Sequence, residues 1–395
     1  MDQEPNDVPG RRSRRVASAR SGEIAVAESQ TIGALSKRDR RLIAITLAAT
    51  IAAGILHSAD GNQVLSFVVA ALALAMMASL VGRCVEALGD RLGAGPTGLL
   101  QSFLGNVPEL FVVLFSLKAG LYTVAQATIV GSILANVLLI LGAAFVAGGL
   151  KNGRQYFSQT ASRQLAILLA LSVFALAIPS LTNALNTPAA SHERAVTVGI
   201  SILLLLLFAC SLPETLRKDN PDNVVSGSDA ALVAKSEAHV HGQWPLSLAI
   251  GMLALTGVGA ALVSDWFVSA LSPAITALNI SEAFAGLIIV AIAGNAVENV
   301  VGIRLAAKGQ ADYALQVILQ SPVQVAMTVA PIVALAAPLV GAATFTLVLS
   351  PLLLAVLFMA TLTTIIIVVD GDYTWFEGVA LIVLYLGIAL AFWWG

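Results

Sequence analysis

The sequence predicts an all-α polytopic membrane protein of about eleven transmembrane helices: one N-terminal helix, then two inverted five-helix repeats. Three observations predict it. First, the 395 residues are 58% hydrophobic and only 11% charged, with a mean hydropathy of +0.88. Ordinary soluble domains are about 25% charged. A soluble fold of this length would lack the polar side chains its surface needs, which excludes a cytosolic enzyme, a disordered chain and a nucleic-acid binder. Second, eleven apolar stretches approach or exceed the roughly 20 residues that a bilayer core requires. Third, a short motif, Gly-Asn-x-x-Glu, occurs at Gly105 to Glu109 and returns 189 residues later at Gly294 to Glu298.

Taken in order, residues 1–40 form a basic cytoplasmic tail with Arg11, Arg12, Arg14, Arg15 and Arg20. No short apolar core with a cleavage site follows it, so it is not read as a signal peptide. The first helix is expected over 41–57, with its loop reaching 63. The first repeat, 64–213, holds helices over 64–88, 96–118, 122–149, 162–183 and 194–213. A cytoplasmic loop, 214–243, carries His239 and His241 as an exposed pair. The second repeat, 244–395, holds helices over 244–270, 281–306, 311–337, 341–369 and 374–394. These stretches are rich in Leu, Ala, Val, Ile and Gly without the alternation of a membrane β-barrel. Lys and Arg set the orientation. With the N-terminus inside, the cytoplasmic face takes the tail together with Arg83, Arg91, Lys151, Arg154, Arg163, Arg217, Lys218, Lys235, Arg304 and Lys308. Only Lys118 and Arg194 remain outside. Short loops and a basic tail fit a bacterial inner membrane, with the tail near anionic lipid. Cys84 and Cys210 lie in apolar stretches and are expected as buried free thiols.

The 189-residue offset also pairs Gly120 with Gly309 and Ser132 with Ser321. Five helices per copy is odd, so the copies enter the membrane from opposite sides. Inverted repeats of this kind mark secondary transporters whose site lies at the midplane. Glu109 and Glu298 are the acids set most clearly inside apolar helices, each at a cost of roughly 2.5–3.5 kcal/mol. A single such Glu can be a structural polar contact or stay protonated. Two at equivalent positions, with no Lys or Arg in the apolar core beside them, call for a divalent cation or protons. Gly105 and Gly294 let the helix open, and Pro108 disfavours helical geometry at Val107. Asn106, Asn295, Ser132, Asn136, Ser321 and Gln324 add oxygens. Six to eight flexible oxygen ligands suit calcium. A set without His or Cys does not suit zinc or copper.

These motifs carry a resemblance. Gly105-Asn106-Val107-Pro108-Glu109-Leu110 with Gly131-Ser132-Ile133-Leu134-Ala135-Asn136, and Gly294 to Glu298 with Ser321-Pro322-Val323-Gln324, resemble the calcium/cation antiporter superfamily, and within it the calcium/proton (CAX-type) exchangers. The likeness extends over about residues 42–395, including Asp370-Gly371, Trp375, Glu377-Gly378 and the closing aromatic run. It implies that Glu109 and Glu298 are the central ion ligands and proton carriers, supported by Asn106, Asn295, Ser132, Ser321, Asn136 and Gln324. It places Glu86 on the cytoplasmic access path. The chain departs from the family at Val107-Pro108, where Ala-Thr is usual, at Gln320, where Gly precedes Ser, and at Asn299, where His is frequent.

The expected activity is secondary antiport of a cation, first of all Ca2+, against protons. The empty, doubly charged site is costly to carry across, so only loaded states cross. The partners are then the cation, protons and lipid, with no cofactor and no nucleic acid, and a homo-oligomer left open. Exchange of Na+ or K+ for protons, or of Na+ for Ca2+, uses overlapping chemistry. A channel would need a continuous pore. The chain has no His-Glu-x-x-His, Gly-x-Ser-x-Gly or Walker loop, so it is read as gradient-driven and not as an enzyme. Gln126 and Gln316 could line a cavity or bond between helices. Asp265 could be a further polar contact. Glu214, Asp370, Asp372 and Glu377 are placed at solvated span ends, and Trp393 and Trp394 in an interfacial belt.

Overall fold

A computed structural model describes residues 35–59, 62–92, 104–217 and 244–394. Twelve helices of ten or more residues occur there. They are α1 Lys37–Ser58, α2 Gln63–Leu92, α3 Val107–Lys118 and α4 Tyr122–Asn152, then α5 Gln159–Ala184, α6 Glu193–Arg217, α7 Leu246–Leu278 and α8 Glu282–Gly294. The last four are α9 Ala296–Ala307, α10 Ala311–Val340, α11 Pro351–Val369 and α12 Trp375–Phe392. Among the described residues, nine are long and apolar enough to cross a bilayer. The other three are α3, α8 and α9, the helices that flank the two Gly-Asn motifs. The chain is an integral membrane protein with an all-α polytopic fold.

Burial orders the bundle. In the apolar windows of α4 and α10, 83% and 67% of residues are buried, against 11% in α1. The two long helices that carry Ser132 and Ser321 are therefore central, and α1 is peripheral. Leu and Ile on α1 face outward in numbers that water would not tolerate, including Ile45, Leu47, Ile51 and Ile55.

The connectors form two groups. In one, Gln155–Tyr156 pairs as a short antiparallel ribbon with Asp372–Tyr373. Asn152 Nδ2 donates to Ala306 O at 3.3 Å, and Ser158 N–H donates to Asp312 in the same group. In the other, Arg194 Nη1 donates to Phe345 O at 2.8 Å, and Ser281 Oγ donates to Phe392 O at 2.5 Å. Alternate crossings bring together these same connectors.

Several expectations are corrected. The stretch 281–306 is two helices broken at Asn295. The stretch 341–369 is helical only from Pro351. Gly341, at φ +85°, ends α10, and Ser350 caps α11 by accepting from Leu353 N–H. Residues 342–350 between them run as irregular chain whose backbone is served by side chains of α4, α5 and α6. Helix α1 begins at Lys37, inside the expected tail, because Ser36 and Asp39 form a capping box. Cys84 is a buried free thiol, but Cys210 is exposed on α6. The rest of the tail, most of the 214–243 loop and its two His lie outside the described residues.

Candidate cation site

The break in each motif helix sits on its Asn. Asn106 has φ −90° and ψ 3°, and Asn295 has φ −99° and ψ 13°, both in the sparsely populated bridge region. Proline was expected to disturb Val107, but the break falls one residue earlier. Asn295 breaks in the same way with Ala296 and Val297 after it, so proline is not the cause. A short amide side chain competes for backbone partners. Asn295 shows this directly: its Nδ2 donates to Ala291 O at 3.0 Å, the carbonyl that its own N–H reaches at 3.3 Å.

The chain beyond each break also repeats at the same offset. A twelve-residue helix ends shortly before a glycine with positive φ, Gly120 at +79° or Gly309 at +75°. The next long helix then loosens into a π-helical segment, Ala135–Ile140 in α4 and Val325–Val329 in α10. Such segments often lie at functional sites. Here they come just after Ser132 and Gln324.

Glu109 is 2% exposed in the first turn of α3, where the helix dipole favours a carboxylate. Ser132 Oγ of α4 donates to Glu109 Oε1. Asn106 Nδ2 donates to Gln324 Oε1 at 3.1 Å, tying α3 to α10 across 218 residues of chain. Asn136 Nδ2 donates to Ser132 O at 2.9 Å and to Ser321 Oγ at 3.3 Å, tying α4 to α10. Asn136 Oδ1 is buried with no hydrogen-bond partner. A Cβ placed on Gly294 would lie 3.8 Å from Glu109 Cβ, so the second motif's glycine sits beside the first motif's acid.

The fold thus gathers Asn106, Glu109, Ser132, Asn136, Ser321 and Gln324 at the crossing of α3, α4 and α10. Asn295 is buried at 3% exposure, and its side-chain bond stays within α8. Glu298 belongs to α9, one turn past the break, but its side chain lies outside the described residues, as does that of Glu86. The gathered groups are one carboxylate, amides and hydroxyls. Among the described residues no cluster of three or more His, Cys, Asp or Glu forms. An oxygen-only set inside an apolar bundle suits a hard cation.

The other polar residues find structural work. Gln126 Nε2 donates to Thr346 O at 3.0 Å and to Val348 O at 2.9 Å, so it bonds between elements. Asp265 is half-buried on α7 and takes no part in the gathered set. Asp372 pairs with Arg154 and holds the guanidinium pKa above its usual value. Glu377 accepts from Thr374 N–H at 2.6 Å as a capping box. Trp393 and Trp394 are exposed at the end of the chain.

One cluster is not evident in the sequence. Asp39 is 1% exposed and accepts from Arg83 Nε at 2.8 Å and from Trp244 Nε1 at 2.9 Å. It fastens α1 to the neighbouring α2 through Arg83 and to the chain just before α7 through Trp244. The Ser-x-x-Asp capping pattern at Ser36 is the signal available for it.

Comparison with known proteins agrees with this architecture. The sequence model of the sodium/calcium exchanger protein family matches residues 62–213 and 248–394. The Ca2+/H+ antiporter ChaA of Bacillus subtilis is 32% identical over 351 residues, covering 87% of this chain and 97% of that protein. The vacuolar calcium ion transporter of Schizosaccharomyces pombe is 30% identical over 331 residues, covering 82% and 78%. The structure of native YfkE superposes with a TM-score of 0.71 at 30% identity, covering 89% of this chain and 98% of that one. An H+/Ca2+ exchanger, CAX, superposes at 0.70 with 16% identity, covering 90% and 92%, and shares the fold. By its motifs, its two matched stretches and this helical architecture, the chain belongs to the sodium/calcium exchanger protein family, in the calcium/proton (CAX-type) group of the calcium/cation antiporters.

Proposed function

We propose that this protein exchanges Ca2+ for protons across a membrane by alternating access, at a midplane site whose two acids are Glu109 and Glu298. The observation that carries this reading is the buried Glu109 held by Ser132, beside an Asn106–Gln324 bond that joins the chain's two halves. The named activities of the ChaA antiporter and the vacuolar transporter support the choice of ion and counter-ion.

The chemistry follows from the oxygen set. A carboxyl removed from water favours its protonated form, and a bound cation favours the ionised form. Proton and Ca2+ therefore compete for one place. Ser132 Oγ orients the carboxylate, and the Asn amides supply further oxygens. An empty site with both acids ionised is costly inside the bilayer, so crossing is restricted to the loaded forms and the two flows are coupled. The power comes from the ion gradient, and the protein is a carrier and not an enzyme. The inverted relation of 64–213 and 244–395 supplies the two facing states. The positive-inside pattern puts the N-terminus in the cytoplasm of a bacterial inner membrane.

The test is proton flux in vesicles that hold the purified full chain, scanned with Ca2+, Na+, K+ and Mg2+. Ca2+ is expected to drive proton counterflow. Glu109→Gln, which keeps shape and loses charge, is expected to reduce that flux to background while the protein stays folded. Full calcium-driven flux in that variant would remove Glu109 from the site.

A further inference from the structure

The two central helices differ along the side that leads to the gathered residues. On α10, Asp312, Gln316, Gln320 and Gln324 recur every four positions, so they share roughly one third of the helix surface. Asp312 and Gln320 are half-buried, together with Tyr313 and Val317 on the same side, while every other residue from 311 to 324 is buried. Gln316 is 6% exposed, and its Oε1 is buried without a hydrogen-bond partner. The row ends at Gln324, which holds Asn106.

The equivalent residues of α4 are Thr123, Ala127, Gly131 and Ala135. Ala127 and Ala135 are fully buried, and a Cβ on Gly131 would lie 2.3 Å from Leu287 O. Past the exposed Thr123, that side of α4 is closed by backbone packing on α8. Gln320 therefore stands where the first copy, and the resembling family, place a glycine. An amide oxygen left buried and unpaired is costly, and lipid cannot satisfy it. Water or a passing ion can.

We propose that Gln316 and Gln320 line an approach lane for the transported cation from the Asp312 end of α10. Their amide oxygens replace part of the ion's hydration shell before it reaches Ser321 and Gln324. They act as specificity-determining residues for one face of the carrier, with no counterpart on the other. The role as cation ligands rests on the exchanger reading above. The existence of the lane does not.

Two measurements on the full chain in vesicles test this. In the first, Cys84 and Cys210 are replaced by Ala, and Gln320→Cys or Ala127→Cys is introduced. A charged, membrane-impermeant methanethiosulfonate reagent is then applied to one side at a time. Gln320→Cys is expected to react from the Asp312 side only, and Ala127→Cys from neither side. Failure of Gln320→Cys to react from the Asp312 side overturns the lane, whichever ion is carried. In the second, Gln316→Leu and Gln320→Leu are expected to raise the KM for Ca2+ entering from the Asp312 side about three- to tenfold at an unchanged maximal rate in that direction. They are expected to lower the maximal rate of the reverse flux, which leaves through the lane, by the same factor at an unchanged KM, as zero net flux at equal gradients requires. Equal KM shifts from both sides, or a change in maximal rate with no KM shift from either side, overturn the ligand role, because a structural defect is blind to side. Loss of calcium-driven flux in the unaltered protein would instead remove the exchanger reading, and the labelling result would still decide the lane.

Discussion

Helices α4 and α10 each give the gathered set a serine, Ser132 and Ser321, at the 189-residue offset, yet the two helices end in different surroundings. Around α4, small residues let backbones touch: a Cβ on Gly131 would meet Leu287 O at 2.3 Å, and one on Gly286 would meet Val124 O at 2.6 Å. Around the first half of α10, glutamines occupy the equivalent row, and part of that side stays accessible. Their connectors differ too. After α4 the chain turns at Gly153 and pairs as a two-residue ribbon with Asp372–Tyr373. After α10 it runs through 342–350 as irregular chain. Each connector is nevertheless held by the start of the other long helix. Asp312 of α10 accepts from Ser158 N–H, and Gln126 of α4 donates to Thr346 O and Val348 O. Polar residues of both helices thus converge at one crossing, while the residues leading to them make one side tight and the other polar.

The sharpest way to break this contrast is to place a Cβ methyl at the same position of each helix. Gly131→Ala pushes a Cβ into the Leu287 backbone and is expected to cost about 1–3 kcal/mol of stability. Gln320→Ala at the equivalent position is expected to stay within about 0.5 kcal/mol. Thermal unfolding of the detergent-solubilised proteins compares them, and equal losses would mean that the two crossings are packed alike. Next in size is Gln126→Leu. It removes both donors to the 342–350 connector and is expected to cost about 1–2 kcal/mol, with faster proteolysis confined to that connector. An unchanged cleavage pattern would show that Ser180, Thr197 and Arg194, which also bond this segment, hold it without Gln126.

The smallest effect at neutral pH is expected at the ribbon. Tyr373 is 1% exposed, stacks on Phe145 at 3.9 Å, and buries its hydroxyl without a hydrogen-bond partner. Burial pushes its pKa up to about 12. The folded state therefore keeps this proton at a pH where the unfolded chain has lost it, and stability falls as pH rises from about 10 to about 12, by roughly 2–3 kcal/mol at most. Tyr373→Phe is expected to be near neutral at pH 7 and to flatten that alkaline loss. A stability curve against pH for the two proteins decides it. An undiminished alkaline loss in the variant would assign the effect to another group.

Much of this was legible in the residues, because a bilayer leaves few choices. Apolar runs near 20 residues are helices there, since no other segment satisfies its own backbone. The 189-residue offset made Asn106, Glu109, Ser132 and Ser321 legible, whereas Asn136 and Gln324, which face Val325 and Ala135 at that offset, stood out only as polar residues on the helices that follow. The position of the break was not, because proline at 108 is a stronger local signal than asparagine at 106. Only the second copy, which breaks at Asn295 without proline, separates the two causes. The irregular 342–350 segment reads as helix because it is apolar. Its bonds come from Gln126, Ser180, Thr197 and Arg194, which no local pattern connects to it.

Composition and spacing are enough to say that the chain lives in lipid, that a Gly-Asn-x-x-Glu stretch recurs 189 residues on, and which polar residues stand out against the apolar background. The bilayer acts on both properties directly, so no packing detail is needed to read them. Which of those residues meet is a matter of packing alone. Asn106 finds Gln324, Asn136 finds Ser321, and Asp39 finds Arg83 and Trp244. Such pairings depend on how closely two backbones approach, and that is set by the shapes of residues far apart in the chain.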